Sequence, residues 1–144
     1  MADAKLVIRS FAKSDGGDVI ALWQRAGLTR PWNDPEQDIA RKMTVAPELF
    51  LVGCVAGTLV ASAMGGYDGH RGWVNYLAVD ESCRGRGYAR QIMDHLEDML
   101  RARGCPKLNL QVRAENKAAL AFYAAAGYAQ DDVVSLGKRL IVDA

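Results

Sequence analysis

The residues that concentrate the most chemistry in the shortest span are Leu77-Ala78-Val79-Asp80-Glu81-Ser82-Cys83-Arg84-Gly85-Arg86-Gly87-Tyr88-Ala89. An apolar run leads through a glycine turn into a helix-forming stretch. Glycines let the main chain adopt angles that other residues avoid and let it approach a ligand closely. The N–H groups of a helix start converge on one point, and together with the helix dipole they make an anion site. A diphosphate suits the backbone from Arg84 to Arg90, each charge-assisted hydrogen bond contributing roughly 1.5–3 kcal/mol. Arg84 and Arg86 add positive charge nearby. A tight turn that binds nothing is the competing reading of Gly85-Arg86-Gly87 taken alone. A Walker loop is excluded because no Gly-Lys-Ser/Thr ending follows. A dinucleotide fingerprint belongs in the first βαβ unit, with an acid about 20 residues further on. Here the glycines open the second half of the chain, and no such acid closes the next strand.

A second cluster spans Gln111-Val112-Arg113-Ala114-Glu115-Asn116 and continues through Phe122-Tyr123 to Gly127-Tyr128. Asn116 is a good N-cap for an alanine-rich helix that Gly127 would stop. Tyr123 carries a phenol able to give a proton to a leaving group.

The elements that must position these groups follow from hydropathy. Lys5 to Arg9 alternates as a strand. Asp15 to Leu28 spaces Val19, Ile20, Leu22, Trp23 and Ala26 as a helix. Arg30-Pro31-Trp32-Asn33-Asp34-Pro35 reads as a loop, with a second helix starting at Pro35. Leu49–Ala56 and Thr58–Tyr67 predict a hairpin about Gly57. A turn over Tyr67–Gly72 precedes a strand at Trp73–Asp80. Ala89, Ile92, Met93, Leu96, Met99 and Leu100 stripe one helix face, and Gly104-Cys105-Pro106 ends it. Leu108–Val112, Tyr128–Val134 and Leu136–Val142 are expected as strands. The order β-α-α-β-β-β-α-β-α-β-β is mixed α/β, expected as a single domain over residues 1–144.

Eighteen basic residues oppose seventeen acidic ones, a net charge of +1. That balance lacks the footprint of a nucleic-acid binder and of a polybasic membrane anchor. No apolar run approaches the ~20 residues that span a bilayer, and the polar start Met1-Ala2-Asp3-Ala4-Lys5 does not resemble a signal peptide. Cys54, Cys83 and Cys105 are an odd set without paired spacing, which favours reduced thiols in the cytoplasm. With only His70 and His95 and no HExxH, no catalytic metal is expected.

Arg84-x-x-Gly87-x-Ala89 resembles the pyrophosphate signature of the GNAT superfamily of N-acetyltransferases, and the Gln111–Tyr128 block is similar to the family's Asn and Phe/Leu-Tyr-x-x-x-Gly-Tyr/Phe segment. Residues 30–35, 64–72 and 135–141 further resemble the small bacterial YpeA-type members. The resemblance implies a GNAT fold: a mostly antiparallel sheet with a splayed parallel pair, flanked by helices. It implies acetyl-CoA as co-substrate, held by Leu77, Ala78, Val79, Arg84, Gly85, Arg86, Gly87, Tyr88, Ala89, Arg90 and Asn116. It implies transfer to a primary amine on a protein N-terminus, a lysine or a small molecule, with Tyr123 protonating the departing thiolate. Trp32, Asn33, Asp34, Tyr76 and Gln111 are the expected acceptor-side residues, and the loops Arg30–Asp34 and Tyr67–Gly72, with Asp68, His70 and Arg71, would rim that side. Where related enzymes that act on protein N-termini place a glutamate base, this chain has Gln111, whose amide takes no proton. Tyr76, Asp80, Glu115, His70 or a water chain remain open as the base. A homodimer is left open, and a coenzyme A sensor without activity and an unrelated nucleotide binder stand as rival readings.

Overall fold

A computed structural model describes residues 5–143. The elements are β1 (Leu6–Ser10), α1 (Gly16–Arg25), α2 (Pro35–Lys42), β2 (Phe50–Val55), β3 (Thr58–Tyr67), β4 (Gly72–Val79), α3 (Tyr88–Ala102), β5 (Leu108–Asn109) and α4 (Lys117–Ala125). The mixed α/β class expected from the sequence is the observed one. The five strands lie in the order β1-β2-β3-β4-β5. The first three neighbouring pairs are antiparallel, and β4 and β5 are parallel. The β2–β3 hairpin turns on Ala56 and Gly57, whose φ angles of 50° and 82° are those of a two-residue turn matched to strand twist. Asp34 caps α2, accepting from the Glu36 and Gln37 amides, while Pro35 supplies a preset φ at the first helical position.

Side-chain alternation along the strands feeds two cores, one on each face of the sheet. Ile92, Met93, Leu96 and Leu100 of α3 pack on Leu51, Ala61, Ala63 and Val74. Val19, Leu22 and Trp23 of α1, with Ile39 of α2, pack on Phe50, Val52, Met64 and Ala78.

Three expectations need correction. β5 covers only Leu108–Asn109 rather than Leu108–Val112, because its pairing stops at Trp73 and the chain then has no ladder to extend. The expected strands Tyr128–Val134 and Leu136–Val142 do not form. Their apolar, β-branched residues read as strands, but Val133, Val134, Leu136 and Leu140 are all at least three-quarters exposed, and so short a β5 offers no edge to join. Side chains tether the segment instead: Lys107 to Asp131, Gln111 to Ser135, Arg139 to Asn33 and Arg41 to Asp143.

Candidate active site

Beyond Trp73 the two parallel strands separate, since β5 pairs only with Gly72 and Trp73 while β4 runs on to Val79. At the mouth of this splay β4 is bulged. Its register against β3 shifts between Ser62 and Met64, and Tyr76 sits at φ 54°. A left-handed conformation at a non-glycine residue costs on the order of 1–3 kcal/mol. The slip is visible in the cores: Val74 belongs to the α3 side, whereas Tyr76 and Ala78 both face the α1 side. A regular strand would put all three on one face. Leu77 and Val79 therefore turn to the α3 side, and on the side away from β3 the β4 edge from Leu77 to Val79 has no strand beside it among the described residues.

Three interactions offset the strain at Tyr76. Its ring stacks on Trp23 with centroids 3.8 Å apart. Its hydroxyl donates to Asp38 Oδ2 at 2.5 Å. Its carbonyl accepts from the fully buried Ser62 hydroxyl at 2.8 Å, and Ser62 Oγ in turn accepts from Trp23 Nε1 at 2.9 Å. Burial, then the bond to Asp38, holds the Tyr76 phenol well above its ordinary value.

The loop after β4 is built from caps and glycines. Asp80 accepts from the Ser82 amide and hydroxyl and pairs with Arg25 of α1 at 2.8 Å. Hydrogen bonds from Ser82 and Arg25 hold its carboxyl below the usual range. Gly85 and Gly87 follow at φ 80° and 78°, and a Cβ at either would meet nothing within 4 Å. Gly87 heads α3 with no side chain capping the first turn and no acid in it. An open, uncapped helix start beside Arg84, Arg86 and Arg90 has the chemistry of an anion site of the kind a diphosphate would take.

On α4, Asn116 Oδ1 accepts from the Ala119 amide at 3.1 Å. The side chain is an N-cap as expected, and its amide nitrogen remains available to donate. Tyr123 packs edge-on to Tyr128 at 5.6 Å and to Phe122 at 5.1 Å. Burial pushes its phenol up to about 12, and among the described residues its hydroxyl has no hydrogen-bond partner. Tyr128 donates to Glu97 of α3 at 2.6 Å, so the ring against which Tyr123 leans is itself anchored.

The structure brings only part of the expected acceptor side together. Trp32 is half exposed, under the Arg113 guanidinium at 5.7 Å from its ring centre. Asn33 accepts from Arg139 at 2.9 Å. Asp34 is engaged as the α2 cap, and Gln111 donates to Ser135. The Tyr67–Gly72 loop does not join this rim. It closes the β3–β4 hairpin, where Asp68 ties the His70 and Arg71 amides at 2.7 Å each. Leu77 lies five residues further along β4, roughly 17 Å away at the usual rise per residue. Of the suggested bases, His70 is thereby remote, and Asp80 is a capped, ion-paired anion. Asp38 was missed in the sequence. It reads there as an ordinary helix-surface acid, and only the hydroxyl of Tyr76 links it to the bulge.

The model of the acetyltransferase (GNAT) family matches residues 18–128. An acetyltransferase of Yersinia enterocolitica is 54% identical over 136 residues, covering 94% of this chain and 96% of that protein. Among solved structures, Ard1 from Thermoplasma volcanium superposes with a TM-score of 0.75 at 29% identity, covering 86% of this chain and 82% of that one. The ribosomal-protein-S18-alanine N-acetyltransferase of Escherichia coli gives 0.71 at 26% identity, covering 85% and 77%. The chain belongs to the GNAT acetyltransferase family. It is an acetyltransferase enzyme whose acyl donor is acetyl-CoA. Among the described residues no helix is long and apolar enough to cross a membrane.

Proposed function

We propose that the protein, acting as one domain, transfers the acetyl group of acetyl-CoA to a primary amine by direct attack within a ternary complex. The amine belongs to a protein N-terminus, a lysine or a small molecule. The observation that carries this reading is the strained bulge at Tyr76 inside the β4–β5 splay, which leaves the Leu77–Val79 edge unclaimed by a neighbouring strand. Backbone donors fixed at that edge would stabilise the negative charge that develops on the thioester carbonyl oxygen. Removing one such donor in an acyl-transfer enzyme typically costs ~10²–10³-fold in rate.

The loop from Arg84 to Arg90 holds the diphosphate, and Asn116 donates to the cofactor while capping α4. Tyr123 is the proton donor to the departing thiolate. Its raised pKa keeps it protonated across the working range. Its pKa also lies above the ~8.5 of an ordinary thiol, so it acts chiefly by donating a hydrogen bond as charge builds on sulfur. Asp38, reached through the Tyr76 hydroxyl, takes the proton that the amine loses: Tyr76 receives it and passes its own to the carboxylate. Three free thiols, at Cys54, Cys83 and Cys105, suit a reducing cytoplasmic setting. The relative that acetylates an alanine of ribosomal protein S18 supports keeping protein α-amines in the acceptor set. Such amines, with pKa ~7.7–8, are partly neutral near pH 7, unlike lysine at ~10.4.

Initial rates with both substrates varied test the ternary complex. Intersecting double-reciprocal lines are expected. Parallel lines, or an acetylated protein after incubation with acetyl-CoA alone, would point to a covalent acetyl-enzyme instead.

A further inference from the structure

An open cleft of about 520 Å³ lies between α2 and the C-terminal segment, lined by Arg41 and by Gly137, Lys138, Arg139, Leu140 and Ile141. Contacts link it to the bulge on one side. Arg41 lies 3.7 Å from Asp38, which accepts from the Tyr76 hydroxyl. They link it to the splay on the other: Arg139 bonds Asn33, Trp32 precedes it in sequence, and Arg113, four residues past β5, covers Trp32.

The charges around this ring do not balance. The carboxylates are already committed: Asp143 closes the Arg41 fork at 2.7 and 3.1 Å, Asp38 flanks the same guanidinium, and Asp34 caps α2. Arg139 donates hydrogen bonds only to neutral oxygens, those of Asn33 and Ile141. Lys138 has no ion pair or hydrogen bond among the described residues, and Arg113 has only the Trp32 ring. Lys138 and Arg113 thus face the acceptor approach without a counter-ion, and Arg139 only shares Asp143, which is already closed on Arg41. A purely cationic acceptor would be repelled there, whereas an anionic group would be drawn in and paired. A carboxylate demonstrably fits the wall, since the Asp143 side chain sits on Arg41 only 3% exposed.

We propose that the acceptor is a primary amine that also carries an anionic group, a carboxylate above all, and that Lys138 and Arg139 receive that group while the amine reaches the bulge at Tyr76. This rests on the acetyl-transfer reading above and narrows its substrate class. The anion can belong to a small molecule or to an acidic peptide, and the test separates the two. One arm compares γ-aminobutyrate with its amide. The other compares peptides that carry Asp or Asn after an N-terminal alanine. Thiol release from acetyl-CoA gives kcat/KM for each. The anionic member of at least one pair should be preferred by about tenfold or more, the factor that 1.4 kcal/mol provides. Lys138→Glu with Arg139→Glu should collapse that preference through KM, with acetyl-CoA affinity by calorimetry unchanged. Equal use of the neutral partners, or a preference that survives the charge reversal, overturns the inference and leaves acetyl transfer standing. Absence of turnover with every acceptor, including neutral and lysine-bearing peptides, overturns both.

Discussion

The Ser62 hydroxyl donates to the Tyr76 carbonyl at 2.8 Å while accepting from Trp23 Nε1 at 2.9 Å. One buried side chain therefore ties the α1 core to the strained residue that opens the β4 edge. Ser62→Ala leaves a buried donor and a carbonyl unpaired, with an expected stability loss of about 1–3 kcal/mol. It also loosens the edge that the proposed function sets against the thioester. Calorimetry should then show acetyl-CoA losing more affinity than coenzyme A, which has no acyl carbonyl. An unchanged ratio of the two affinities would reduce Ser62 to a packing residue.

Tyr123→Phe removes one hydroxyl that makes no hydrogen bond among the described residues, so the melting temperature should change little. Turnover should fall by ~10²-fold or more, and by less with an acyl donor whose leaving thiol is more acidic. Loss of stability with intact turnover of the folded protein would assign Tyr123 to packing.

The pH profile follows from the same residue. Burial raises the Tyr123 phenol to about 12, and the group donates only while protonated. Its contribution is present below that value and lost above it. The profile should rise as the acceptor amine deprotonates and show no fall from Tyr123 near the ~10 of an ordinary phenol. A descending limb near pH 10 that vanishes in Tyr123→Phe would contradict the raised value.

Asp38→Asn and Tyr76→Phe interrupt one proposed proton path at two points. Each should slow turnover, and the double variant should be no slower than the worse single one. Fully additive losses would mean that the two residues act independently.

Gly87→Glu adds a side chain at φ 78° and a negative charge where the proposed function puts the diphosphate. Coenzyme A binding should be abolished, while Gly87→Asn, which tolerates the left-handed angle without adding charge, should bind measurably. Undiminished affinity in a folded Gly87→Glu protein would move the diphosphate elsewhere.

Local signals made much of this legible. Asp34-Pro35 marked a helix start, Gly57 a hairpin, and Arg84-Gly85-Arg86-Gly87 the turn into α3, because caps and turns are written in a few adjacent residues. The bulge at Tyr76 was not legible. It depends on Ser62 and Trp23, 14 and 53 positions away in sequence, and nothing in Asn75-Tyr76-Leu77 demands a positive φ. Asp38 was hidden for the same reason. The terminal strands misled because Val133, Val134 and Leu136 have β-forming side chains, while pairing depends on an edge that the two-residue β5 does not supply.

The most direct measurement is coenzyme A thiol release from acetyl-CoA with and without a broad panel of amines and peptide N-termini, with the acetylated product followed by mass spectrometry. Release that requires an amine and matches the acetylated amine mole for mole is the predicted result. Tight acetyl-CoA binding with thiol release that no amine raises above background would contradict acetyl transfer and leave a protein that only binds the cofactor.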